Sequence, residues 1–121
     1  MPDWLLPGPP PPAFATAERC VITEILKDPA CPQVSLALAE VAPGVITRLH
    51  AVAGTEEVYV ILRGRGVAEV AGVAAEVGPG DRVVIPAGAA QRIRNVGAET
   101  LAFHCLCTPR FRQENYVDLG D

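Results

Sequence analysis

From residue 20 onward the chain is written in short β-rich apolar runs, each closed within a few residues by turn-forming chemistry. The runs are Cys20–Leu26, Val34–Ala42, Val45–His50, Val58–Arg63, Gly66–Val70, Ala74–Val77, Arg82–Ile85, Arg92–Val96 and Thr100–Cys107. Between them stand Pro43-Gly44, Gly64-Arg65-Gly66, Gly78-Pro79-Gly80-Asp81, Pro86-Ala87-Gly88 and Gly97. These residues supply the fixed or positive φ that tight turns require. No stretch after residue 20 keeps a helical period long enough to compete. Many short strands at close, regular spacing predict an all-β sandwich or barrel.

The two ends read differently. Pro2, Pro7 and Pro9–Pro12 make up half of the 12 prolines, so residues 1–13 cannot form helix or a paired strand. Residues 1–19 are therefore expected as an extended arm ahead of a barrel over 20–108. The arm carries Trp4, Leu5, Leu6 and Phe14, and either covers an apolar patch of its own domain or reaches a second subunit. Residues 109–121 are polar but hold Phe111 and Tyr116, and are expected to pack on the barrel exterior.

Strand alternation sorts the side chains by face. Ile46, Arg48, His50 and Val52 point one way. So do Glu57, Tyr59 and Ile61 on the next strand, and Gln91, Ile93 and Asn95 later. A face carrying Arg48, His50, Glu57, Tyr59 and Gln91 among aliphatics is costly to bury unless the polar groups meet each other, a ligand or water. In a small barrel they converge on the interior, where a small molecule can sit.

Composition narrows the function classes. Half of the 121 residues are hydrophobic and 20% are charged, which excludes a disordered chain. The net charge of −4 gives no reason to expect nucleic acid as a partner. No 18-residue apolar run predicts a membrane-spanning helix, and the N-terminus lacks the charged-then-apolar pattern of a secretory signal. A cytoplasmic location is the resulting expectation. Cys20, Cys31, Cys105 and Cys107 fit it as free thiols. With only two histidines, His50 and His104, no site can draw three imidazoles from one chain.

The turn and face residues together resemble the cupins, whose first motif reads G-x5-H-x-H-x(3–4)-E-x6-G. Gly44, His50, Val52, Glu57 and Gly64 reproduce that spacing. The second motif, G-x5-P-x-G-x2-H-x3-N, is matched in register by Gly80, Pro86, Gly88, Gln91 and Asn95. The resemblance covers about residues 34–107. It implies a double-stranded β-helix of the jelly-roll group, often assembled as a homodimer.

In that family the motif histidines and glutamate hold a divalent metal. Here two of the histidine positions are Val52 and Gln91. What carries over is a set of His50, Glu57 and Gln91, one nitrogen and two oxygens, which is weak for Mn, Ni, Zn or Fe. The residues themselves leave other roles open. His50 reads as ligand, as acid–base group, or as a histidine hydrogen-bonded to Glu57 or Gln91. Glu57 reads as a base or as the partner of Arg48 in a buried ion pair. Tyr59 reads as a wall residue or an acid, and Gln91 as an orienting amide. Cys105 and Cys107 would line the interior, Cys105 as a substrate contact. His104, facing the other way, reads as structural.

Two functions fit. One is an enzyme in which His50, Glu57 and Tyr59 move protons on a sugar-like or carboxylate substrate held by Arg48, Gln91 and Cys105. Isomerase, lyase or, with a metal, oxygenase chemistry would follow. The other is a metal-free protein that binds or senses a small molecule without catalysis. Val52 in a ligand position favours the second.

Overall fold

The computed structural model describes residues 2–121, and they are built almost wholly from β-strands. In chain order these are β1 (Phe14–Ala15), β2 (Val21–Leu26), β3 (Ser35–Val41), β4 (Leu49–Val52), β5 (Glu56–Arg63) and β6 (Gly66–Val70). They continue with β7 (Val73–Val77), β8 (Arg82–Ile85), β9 (Gln91–Asn95), β10 (Leu101–Thr108) and β11 (Tyr116–Gly120). A single 3-10 turn, Gln113–Asn115, precedes β11. The strands form a six-stranded sheet in the order β1-β2-β3-β10-β5-β8 and a five-stranded sheet in the order β11-β4-β9-β6-β7. All pairings are antiparallel. This is the jelly roll that the alternation and turn spacing predict.

The core lies between the sheets. Val41, Ile61, Ile85, Ile93, Leu101 and Phe103 are at most 3% exposed. They are the inward half of the alternation on strands of both sheets, and their burial is the main stabilising contribution. Gly64 turns the chain from β5 to β6 at φ +89°, and a Cβ there would lie 2.8 Å from the Thr100 carbonyl oxygen. Only glycine fits that close approach.

Three expectations need correction. The run Val45–His50 is strand only from Leu49, and β4 extends to Val52. The Thr47 hydroxyl accepts a hydrogen bond from the Ile93 amide at 3.0 Å, so a side chain takes the place of a ladder carbonyl and regular pairing starts later. The C-terminal segment does not merely rest on the barrel exterior. Residues Tyr116–Gly120 pair with Leu49–Val52 and complete the five-stranded sheet. The N-terminal arm likewise ends early, because Phe14–Ala15 pairs with Val21–Ile22. Upstream of it, Leu6–Pro11 runs beside Glu24–Asp28, while Trp4 stays 82% exposed.

Candidate functional site

A cavity of about 400 Å³ opens between the sheets. The six-stranded sheet supplies Ile22, Glu24 and Leu26 from β2, Leu36 and Ala37 from β3, Glu57 from β5, and Cys105 and Cys107 from β10. The five-stranded sheet supplies His50 and Val52 from β4 with Tyr116 and Asp118 from β11. The segments around β1 and β11 close the remaining sides with Phe14, Glu18 and Phe111. A volume of that size suits a metabolite of roughly nucleoside or disaccharide dimensions.

His50 is 5% exposed, and its Nδ1 lies 2.8 Å from the Arg48 carbonyl oxygen. A carbonyl can only accept, so Nδ1 carries the proton and Nε2 of the neutral ring is the acceptor. The ring stacks on Tyr116 with centroids 5.0 Å apart and planes 15° apart. The Glu18 carboxylate approaches Nδ1 at 3.5 Å and accepts from the Cys20 thiol at 3.1 Å. His50 is thus held by backbone, ring and carboxylate together, not by Glu57 or Gln91.

Glu57 is 8% exposed, and its Oε1 has no hydrogen-bond partner. Burial raises its carboxyl above the ordinary range, while hydrogen bonding from Gln91 and the neighbouring His50 oppose the rise. An acid held near its proton, beside an imidazole free to accept one, is a pair suited to proton transfer.

The other expected residues are placed less directly. Arg48 reaches the cavity edge, but its guanidinium is committed to Asp118 at 3.1 Å and Asp121 at 3.3 Å. It does not pair with Glu57, and it has little left to clamp a carboxylate substrate. Tyr59 and Gln91 do not line the cavity. They are 4% and 1% exposed and bonded to each other, the Tyr59 hydroxyl donating to Gln91 Oε1. Tyr59 also packs on Phe103 at 4.6 Å. The two form a buried support behind Glu57. Cys105 and Cys107 do face the cavity, as alternation predicts, and burial pushes the Cys107 thiol up to about 12 and Cys105 up as well. Protonated thiols are poor nucleophiles. None of the four cysteines is bonded to another. His104 is half-buried outside the cavity.

Glu18 and Tyr116 escaped the sequence reading because neither belongs to the two motifs. The only signals were the Glu18-x-Cys20 alternation leading into β2 and the Tyr-Val-Asp-Leu alternation at the C-terminus.

The metal that the family resemblance implies does not fit this donor set. Val52 has no lone pair, and the Gln91 oxygen is turned to Tyr59. Among the described residues no three His, Cys, Asp or Glu side chains come together as a metal-holding group. His50 and Glu57 alone would bind a transition metal weakly. Untagged protein is therefore expected to purify with less than about 0.1 equivalent of metal, and adding Mn, Ni, Zn or Fe should leave the melting temperature unchanged. A metal-dependent rise of several degrees would show that the donors rearrange.

Residues 37–107 match the Cupin domain family. The chain is a cupin. It is 33% identical over 104 residues to an uncharacterized protein of Methanocaldococcus jannaschii, MJ1618, covering 84% of this chain and 83% of that one. Among solved structures it resembles the Streptomyces nucleoside dehydratase Pac13 at a TM-score of 0.76 and 14% identity, over 90% of this chain and 84% of Pac13. A predicted oxalate decarboxylase from Thermotoga maritima superposes at 0.73 with 24% identity, over 83% of this chain and 92% of that one. At those identities the likeness shows the fold alone, which hosts unrelated functions. This cupin keeps the family's turn glycines, Pro86 and Asn95, and lacks two of its ligand histidines.

Proposed function

We propose that this cupin is an acid–base catalyst without a resident metal, acting on a small sugar-like molecule by loss of water or by isomerisation beside a carbonyl. The observation that carries the proposal is the pairing of His50, an acceptor at Nε2, with Glu57, a buried carboxyl kept near its proton. Both line one cavity whose walls include the apolar side chains of Ile22, Leu26, Leu36, Val52 and Phe111. Such walls exclude water and strengthen each polar contact inside.

In an elimination, His50 Nε2 takes the proton from the carbon next to the carbonyl. The electron pair left behind forms the new double bond as the hydroxyl on the next carbon departs. Glu57 gives its proton to that hydroxyl, which leaves as water. In an isomerisation the same two groups take and return protons on neighbouring atoms. Pac13, a nucleoside dehydratase, offers a precedent for loss of water within this fold.

The test is a panel of aldoses, ketoses and nucleosides, uridine included, incubated with the protein in deuterated water and followed by NMR. Expected is deuterium uptake or dehydration of at least one member, falling about 10²–10⁴-fold in His50→Gln. Val52 in a ligand position favours a second reading, a cupin that binds without reacting. Tight binding to the cavity with no conversion by the native protein would establish that reading instead.

A further inference from the structure

The fixed charges around the cavity do not balance. Its wall holds the carboxylates Glu18, Glu24, Glu57 and Asp118 but only two permanent cations, Lys27 and Arg48. Both cations are already committed. Lys27 lies 3.1 Å from Glu24, and Arg48 lies 3.1 Å from Asp118 and is shared with Asp121. Glu18 and Glu57 are left without a cationic partner other than His50. Glu57 Oε1 is buried with no hydrogen bond, and Glu18 Oε2 has only His50 Nδ1 at 3.5 Å, whose N–H is already given to the Arg48 carbonyl. The two carboxylates also lie near enough for the Glu18 charge to add to the strain on Glu57.

Buried acceptors without donors are rare and costly, and each calls for a donor from an ordered water, an ion or a ligand. A carboxylate or phosphate ligand would meet repulsion from Glu18 and Glu57 and find no free cation. A neutral hydroxyl can donate one hydrogen bond but leaves the charge uncompensated. An ammonium group brings three donors and the missing charge together, in bonds about twice as strong as neutral ones. The apolar wall formed by Ile22, Leu26, Leu36 and Phe111 would take the body of the molecule.

We propose that the natural ligand carries a protonated amine seated between Glu18 and Glu57, whose charge ionises Glu57 on binding, so that for an amine-bearing substrate the ammonium itself is the acid in place of Glu57. The inference rests on the cavity being a ligand site, as proposed above, and narrows the sugar-like class to an amino sugar or a similarly compact polar amine.

The test compares matched pairs near neutral pH: glucosamine with glucose, galactosamine with galactose, and cyclohexylamine with cyclohexanol. Binding is read by calorimetry and by the shift in melting temperature of the full chain. Expected is at least a tenfold preference for the amine in one or more pairs. Glu18→Gln and Glu57→Gln should each erase most of that preference, and Glu69→Gln, which pairs with Arg92 outside the cavity, should keep it. The melting temperature of each variant without ligand shows that it is folded. Equal binding of amine and hydroxyl partners across the pairs would overturn the amine and leave the acid–base reading standing. So would a preference that survives both Glu18→Gln and Glu57→Gln. Conversion of a substrate lacking an amine, undiminished in Glu18→Gln, would likewise separate the two.

Discussion

Asn95→Ala should cost this cupin about 3–5 kcal/mol, a large share of the stability of a domain this size. Asn95 is 1% exposed on β9. Its Nδ2 donates to the Val41 carbonyl at 2.9 Å and to the Glu99 carbonyl at 2.8 Å, and its Oδ1 accepts from the Gly97 amide at 2.9 Å. Val41 belongs to the other sheet. One amide therefore clasps the two sheets and pins the turn between β9 and β10. Truncation leaves two carbonyls and one N–H buried or half-buried without their partner, and each lost bond of that kind costs about 1–3 kcal/mol. Urea unfolding should show the midpoint falling sharply with the m-value unchanged. Asn95→Asp should not rescue it, because both carbonyls need donors. A loss below about 1 kcal/mol in the alanine variant would mean that the clasp is redundant.

The same residue shows why the fold was more legible than the site. Turn glycines, Pro86 and Asn95 are read by local geometry, and local geometry is what spacing encodes. Gly64 needs positive φ and room for nothing larger, whatever the protein does. Alternation likewise assigned His50, Glu57, Cys105 and Cys107 to the interior, where the structure has them. It could not rank depth along that interior. Tyr59 shares a face with Glu57 but is turned to Gln91 behind the cavity. Nor could it find partners that arrive from distant chain. Arg48 meets Asp118 and Asp121, some 70 residues away, rather than the nearby Glu57. Tyr116 stacks on His50 because β11 pairs with β4, and the tail's charged residues mask that strand. Exposed Val117 and Leu119 point away from the cavity side, so the hydrophobic count there carries no sign of an inner face.

Glu57→Gln should make the folded protein more stable at neutral pH while removing its proton donor. Burial raises the Glu57 carboxyl above its ordinary value. Between the ordinary value, about 4.3 in an unfolded chain, and the raised one, the folded state binds more protons than the unfolded state. Stability therefore falls as pH rises through that window and stays lower above it. The Glu57 contribution is fully present below about pH 4 and is lost once the folded group ionises. Glutamine mimics the protonated acid and has no charge to lose, so the variant should gain roughly 1–3 kcal/mol over the native protein at pH 8. Near pH 4 the two should unfold at the same denaturant concentration. Taking the difference between the two proteins cancels the titrating groups remote from Glu57. If the variant were instead less stable at every pH, the Glu57 carboxylate would be held by partners in the folded state, and its role as a stored proton would fall. A gain in stability joined to a loss of turnover would mark Glu57 as a residue kept for chemistry against the interest of the fold. That is the expected signature of a buried acid whose missing partner is the ligand.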